Sequence, residues 1–277
     1  MPDEQHNGNA KLTSTRRNAL KLSVGATTVG TFGTTAVTAQ PPERQKWALK
    51  TGAIDNSSPT VVDGTVYIGN RDTPGKLYAV DAADGTEQWT FAPDFGIVTS
   101  PTVATGTVYF TSWDSNLYAL DAADGTQQWS FSSNYKVESS PTVVDGMVYF
   151  GGGDGRLYAV DAADGTEQWA FQTGGIVESS PTVLCGKVYI GVISSEEREN
   201  GKLYAVDAAD GTEQWAFDTN GEVRSSPTVV DGTVYVGDGS FRSGNLYAVD
   251  TETGTEQWAF QTGDRVYSSP TVADGTV

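Results

Sequence analysis

The 277-residue sequence contains one cysteine and one histidine. Cys185 has no partner, so no intrachain disulfide can staple the fold. A chain of this length can bury a core without one, and export therefore stays open. The only histidine is His6, so histidine-based catalysis and histidine metal sites are excluded from everything after it. Basic residues are scarce: 17 Lys and Arg stand against 35 Asp and Glu, a formal net charge of -18. No basic patch could neutralise a run of phosphates, which argues against nucleic acid as a partner. No segment after Gln40 keeps the 3.6-residue apolar period of a helix. Residues 22–38 carry too many Gly and Thr for a comfortable membrane span. A nucleophile elbow, a phosphate loop and a cysteine metal cluster are all missing. Asp-Gly pairs abound, yet no loop has the alternating carboxylates and closing Glu of a calcium loop.

Repetition is what the sequence does have. The stretch Leu77 to Trp89, LYAVDAADGTEQW, returns at Leu117 to Trp129, Leu157 to Trp169, Leu203 to Trp215 and Leu246 to Trp258. From Trp89 on, these tryptophans recur at intervals of 40, 40, 46 and 43 residues. A second phrase, Ser-Ser-Pro-Thr-Val, keeps the same beat at Pro59, Pro141, Pro181, Pro227 and Pro270, with a single Ser before Pro101. A fixed period in this range marks a repeat architecture. Within the unit from Ser139 to Val177, the pattern predicts strands over 140–144, 147–150, 156–161 and 166–173. Asp145-Gly146 supplies a hairpin turn, because both residues tolerate positive φ. Pro141 starts a strand but could not sit inside one. In the fourth strand, Glu167, Trp169 and Phe171 are expected on one face, with Gln168 and Ala170 on the other. Four antiparallel strands per unit of about 40 residues is the blade of a β-propeller. The expected fold is thus all-β: five complete blades plus a lone fourth strand around Trp47 and a first strand near Pro270. The chain stops inside a strand, so it reads as a C-terminally truncated array or an imperfect six-bladed ring.

Residues 1–39 read as an export signal, and 40–277 as the repeat domain. Thr15-Arg16-Arg17 and Leu20-Lys21 resemble a twin-arginine signal, although Ala19 stands where an aromatic is common. A weakly apolar segment from Leu22 to Val37 and a cleavage pattern at Val37-Thr38-Ala39 follow. Losing residues 1–39 would remove two acids and four bases, leaving the remainder more acidic still. The acid excess and scarce Lys resemble proteins of extreme halophiles, and the twin-arginine route is heavily used by haloarchaea. An acidic protein from an ordinary bacterium is the alternative. The expected product is an exported, extracytoplasmic protein with no transmembrane span, monomeric.

Ala79-x-Asp81-x-x-x-Gly85-x-x-x-Trp89 resembles the tryptophan-docking motif of PQQ-type propellers, the family of quinoprotein alcohol dehydrogenases and BamB. The same pattern ends at Gly125/Trp129, Gly165/Trp169, Gly211/Trp215 and Gly254/Trp258. The resemblance implies that each Trp, Trp47 included, docks between blades against the neighbouring Gly turn. Burying a Trp removes roughly 150–250 Å² from water, worth about 4–6 kcal/mol gross as an upper bound. Identical sites at identical phase are structural, so ligand stacking is not their role.

Function is therefore expected where the repeat varies. By strand reversal, the first–second and third–fourth turns share one face, and they hardly change between copies. The second–third loops and the inter-blade links share the other. Three residues before each Pro, at the mouth of the central channel, stand Asn56, Val98, Glu138, Glu178, Arg224 and Tyr267. Trp113, outside the docking phase, is either an anchor for a partner or a cover for the blade edge. Glu138, Glu178 and Arg224 form either a charged rim or a solvated surface. Cys185 replaces the Asp of a tight turn and reads as a drifted turn residue rather than a reactive thiol. The favoured reading is a non-catalytic exported scaffold for protein partners, with no cofactor and no metal. The alternative implied by the resemblance is a fragment of a dehydrogenase that binds PQQ with calcium. Against that alternative stand the impossible Cys-Cys pair and the short chain.

Overall fold

The computed structural model describes residues 46–194, 200–240 and 243–277. The expected signal at 1–39 lies outside them. Five antiparallel sheets follow one another along the chain, and no helix occurs among the described residues. Blade one pairs Thr60–Val62, Thr65–Asn70, Lys76–Asp81 and Glu87–Phe91 in chain order. Blade two uses Thr102–Ala104, Thr107–Thr111, Asn116–Asp121 and Gln127–Ser132, and blade three Thr142–Val144, Met147–Gly151, Arg156–Asp161 and Glu167–Gln172. Blade four uses Thr182–Leu184, Lys187–Ser194, Gly201–Asp207 and Glu213–Thr219, with Gly175–Ile176 added beside its second strand. Blade five uses Thr228–Val230, Thr233–Gly237, Gly244–Asp250 and Glu256–Thr262. The β-propeller expected from the repeats is the observed fold.

Each inner blade is buried on both faces, which explains why its third strand reads as a continuous apolar run. In blade three, Leu157 and Ala159 join Tyr149 and Trp169 in a core shared with Val188, Ile190 and Tyr204 of blade four. Tyr158 and Val160 join Val148 and Phe150 in the core shared with blade two. Alternation along each strand thus assigns successive side chains to successive neighbours. Gly151, opposite Leu157 in the register, leaves room for the incoming link: a Cβ there would lie 2.1 Å from Val177 Cγ1.

The tight turns fall as expected. Asp145-Gly146 takes φ values of 50° and 77°, and Cys185-Gly186 takes 52° and 74°. Cys185 is an exposed turn residue. In the Asp-Ala-Ala-Asp-Gly turn, Asp161 Oδ1 accepts from Ala163 N at 2.8 Å, and Gly165 N donates to Asp161 O at 2.9 Å.

Several boundaries differ from expectation. The first strand of blade three starts at Thr142 rather than Ser140. Ser140 N instead donates to Ser180 Oγ of the next blade at 3.0 Å. The alternation in the fourth strand is interrupted by a β-bulge between Ala159 and Val160, opposite Trp169 and Glu167. Trp169 is buried and Phe171 half-buried, but Glu167 is exposed. The same bulge recurs in all five blades. No strand is assigned around Trp47, and near the C-terminus only an isolated bridge joins Ala273 and Thr276. The second strand of blade four runs to Ser194 and its third starts at Gly201. Residues 195–199, and 241–242 in the loop of blade five, lie outside the described residues.

Candidate functional site

The Ser-Ser-Pro-Thr phrase builds the wall of the channel. Its second Ser accepts a backbone N–H from the preceding unit: Ser58 N to Ser100 Oγ at 2.9 Å, and so on through Ser226 N to Ser269 Oγ at 3.1 Å. Its Thr reaches forward, as Thr142 Oγ1 donates to Pro181 O at 2.6 Å. Its first Ser holds the second strand of its own blade; Ser139 Oγ accepts from Gly151 N at 3.0 Å. Three side chains of one short phrase therefore satisfy backbone groups that the inner strands leave open.

At the outer end of each blade, the tryptophan of one unit lies on the Gly turn of the next. A Cβ on Gly165 would lie 2.6 Å from the Trp129 ring. Trp47, Trp89, Trp169 and Trp215 stand in the same way to Gly85, Gly125, Gly211 and Gly254. Each indole N–H also donates to a backbone carbonyl of that turn, Trp169 Nε1 to Ala208 O at 3.1 Å for example. Trp258 is different: its ring is 39% exposed, against 8–9% for the four before it.

The channel-mouth residues converge. Asn56, Val98, Trp113, Glu138, Glu178, Arg224 and Tyr267 all line one cavity of about 470 Å³, with Ser140, Ser180, Ser226 and Ser269 on its wall. Hydrogen bonds fix the face on which it opens. Links and second–third loops are joined there, as by Ser133 N to Ser115 O at 2.8 Å. The Asp-Gly turns are joined on the opposite face, as by Ala162 N to Gly146 O at 2.9 Å.

The charges in the cavity are paired unevenly. Lys136 forms an ion pair with Glu138 and lies over the Trp113 ring, 5.6 Å from its centroid. Arg224 forms ion pairs with both Glu178 and Glu222, the latter at 2.9 Å, and its guanidinium lies 5.6 Å from the Tyr267 centroid. Arg265 bonds the Tyr267 hydroxyl at 2.8 Å. Burial pushes the Glu178 carboxyl above its ordinary range; Arg224 opposes this and Glu138 adds to it. The hydrogen bond to Glu138 raises the Lys136 ammonium. Trp113 Nε1 is buried with no hydrogen-bond partner among the described residues. No group of three or more His, Cys, Asp or Glu side chains is placed to hold a metal ion among the described residues. Nor is any helix there long and apolar enough to cross a membrane.

Sequence reasoning selected the mouth residues but missed their partners Lys136 and Glu222, each two positions upstream. The same links also expose apolar side chains, namely Ile54, Phe95, Tyr135 and Ile176. The signal was available, since these positions vary between repeats as much as the mouth positions do.

A family model described as outer membrane protein assembly factor BamB matches residues 32–136, 131–196 and 199–277. No curated protein matches the sequence. Among solved structures, BamB from Moraxella catarrhalis is similar at 21% identity and a TM-score of 0.65, over 79% of this chain and 68% of that one. The quinohemoprotein alcohol dehydrogenase ADHIIG from Pseudomonas putida HK5 is similar at 22% identity and a TM-score of 0.60, over 78% of this chain and 42% of that one. The computationally designed Ika8 protein is similar at 13% identity and a TM-score of 0.65, over 77% of this chain and 64% of that one. At such identities the likeness is one of fold, and the chain spans less than two thirds of the last two proteins.

Proposed function

This chain belongs to the family described as outer membrane protein assembly factor BamB, and from that membership we propose that it is a non-catalytic, extracytoplasmic scaffold that binds protein partners on its channel-mouth face. The observation that carries this reading is the gathering of the variable residues around one cavity, while the residues repeated in every copy are spent on holding blades together. Fold alone would not choose between roles. A partner is the expected ligand because the face joins exposed aromatic and apolar side chains to a charged cavity, the mixture that protein interfaces favour.

The test is capture of a partner by the purified full chain, followed by titration of variants. Glu178→Ala, Arg224→Ala and Trp113→Ala should each weaken binding, whereas Asp145→Ala and Asp164→Ala on the opposite face should not. Dependence on the Asp-Gly turns alone would refute the face assignment. Export by the twin-arginine route belongs to the same reading. Lysines in place of Arg16 and Arg17 should abolish it, and undiminished export would refute that part.

A second reading, a piece of a PQQ- and calcium-dependent dehydrogenase, draws support from the likeness to the alcohol dehydrogenase, of which this chain spans 42%. The cavity chemistry argues against it. A tricarboxylate quinone needs free cations, and Lys136 and Arg224 are already held by carboxylates. Glu138 and Glu178 are in turn held by those cations rather than free for calcium. Calorimetric titration with PQQ and calcium should show no binding; stoichiometric micromolar binding would promote this reading.

A further inference from the structure

Each of the six links ends in a variable mouth residue followed by two hydroxyl residues, Ser-Ser in five links and Thr99-Ser100 in the second. An Asn in the variable place therefore writes Asn-x-Ser, the acceptor triplet for N-glycosylation when x is not Pro. Only the first link does so. Asn56-Ser57-Ser58 is the one such triplet in the 277 residues, and Pro59 lies beyond it.

The fold presents this triplet differently from its five counterparts. Asn56 is exposed and has a φ of 60°, a left-handed conformation that Asn tolerates. Its side chain makes no hydrogen bond to any described residue, so the amide nitrogen is free. Before the mouth residue, the later links bury Ile97, Val137, Val177 and Val223 completely. Asp55 stands there in the first link, partly exposed and paired with Arg71. The first link therefore lacks the apolar peg that holds the others down. Ser58 differs as well. In the later links, Ser100, Ser140, Ser180, Ser226 and Ser269 each accept the backbone N–H of the corresponding Ser one link earlier, at 2.9–3.1 Å. Ser58 heads this series; it is exposed, and no described residue donates to its Oγ. Ser57, between them, is buried and accepts from Gly69 N at 3.3 Å. The two exposed residues are thus the amide and the hydroxyl that the triplet requires.

We propose, resting on the extracytoplasmic reading above, that Asn56 is an N-glycosylation site, selected among the links by its own amide and by the free Ser58 hydroxyl. The co-substrate is an oligosaccharide carried on a lipid phosphate, and the catalyst is a membrane oligosaccharyltransferase. Asn56 Nδ2 attacks C1 of the first sugar. The C1–N bond forms and the C1–O bond to phosphate breaks. The lipid phosphate leaves with the bonding electron pair, one amide proton passes to a base of the transferase, and nothing is oxidised or reduced. The product is a hydrophilic chain at the edge of the cavity, two residues from the exposed Ile54. It solubilises that sector of the mouth. Three links separate it from Arg224, so the sector of Glu178 and Arg224 stays open to a partner.

The test is tandem mass spectrometry of the full chain purified from the extracytoplasmic fraction of its own cells. The tryptic peptide 51–71 should carry whole sugar residues, placed on Asn56 by fragmentation. Asn56→Gln and Ser58→Ala should each remove them completely from a chain that is still exported and keeps its circular dichroism melt. Ser58→Thr should retain them. Glu138→Asn writes the same triplet in the third link, but the Ser140 hydroxyl is engaged there, and that link should stay bare. An exported chain whose peptide 51–71 is bare overturns the inference and leaves the export reading intact. A chain that never leaves the cytoplasm, with the peptide bare, overturns both. Modification that survives Ser58→Ala, or that appears equally on the third link with Glu138→Asn, overturns the selection by Ser58.

Discussion

Trp169 and Trp258 occupy the same place in the repeat and differ in what covers them. Trp169 is 9% exposed and donates to Ala208 O, whereas the Trp258 ring is 39% exposed. Trp169→Ala should cost about 3–5 kcal/mol, the range for truncating a buried large aromatic. Trp258→Ala should cost clearly less. Denaturant melts at fixed salt measure both, and equal losses would refute the role of the following Gly turn. The turn itself supplies a second comparison. Gly146 and Gly165 have nearly the same φ, 77° and 75°. A Cβ on Gly146 meets nothing within 4 Å, whereas one on Gly165 meets the Trp129 ring. Gly146→Ala should therefore cost only the left-handed strain, about 1–2 kcal/mol. Gly165→Ala should cost about 1–3 kcal/mol more, from overpacking. The need for Gly at both places was legible in the Asp-Gly pairs. That only one of them touches a ring was not, because the ring comes from another unit.

At the scale of the strand, the tyrosines of the second and third strands link blades and loops. Tyr149 OH donates to Ala208 O of the next blade at 3.2 Å. Tyr158 OH donates to Asp154 in the second–third loop at 2.5 Å, and Tyr118 OH to Asp114 at 2.8 Å. Burial raises the phenols of Tyr118, Tyr149, Tyr158, Tyr189 and Tyr247, Tyr189 and Tyr247 to about 12, and the neighbouring Asp carboxylates raise Tyr118 and Tyr158 further. A phenol whose folded value lies above its unfolded value of about 10 favours the fold when neutral. That stability is full below the unfolded value and is lost as pH rises through the folded one. Phenolate absorbance from Tyr189 and Tyr247 should accordingly appear near pH 12, together with loss of the β-sheet circular dichroism signal. Smooth ionisation centred near pH 10, with the sheet signal intact, would refute it. The strands themselves were legible from alternation and turn chemistry. The bulge opposite each Ala-Val pair, Ala119-Leu120 in blade two, was not, because local alternation carries no mark of a register shift set by the partner strand.

For the whole molecule, charge governs the conditions under which the blades hold together. Acidic turns repeat on one face, and the formal net charge is -18. Salt shortens the reach of that repulsion from about 10 Å at 0.1 M to about 3 Å at 1 M. The melting temperature should rise steeply with NaCl or KCl into the molar range. A cooperative melt unchanged at low salt would refute a halophilic adaptation. The inter-blade junctions set a second property at this scale. Each core is shared by two successive blades, so neighbouring units should unfold together rather than one at a time.

The sequence by itself determined the blade. A four-strand meander with Asp-Gly turns, a Trp at fixed phase and a Ser-Ser-Pro-Thr start is local information, repeated until no other period competes. It also separated the invariant face from the variable one, since strand reversal is a matter of counting. Only the tertiary structure decided what the variable residues do to one another. Glu178 and Arg224 are 46 residues apart, and their pairing depends on the curvature that brings successive links around one cavity. The same curvature sets the Lys136 ammonium over the Trp113 ring of the preceding blade, and leaves Glu178 and Glu222 to pair with one guanidinium. Sequence spacing specifies which strand a residue enters. The distance between residues of different blades is set by how the cores pack, and that is a property of the assembled blades.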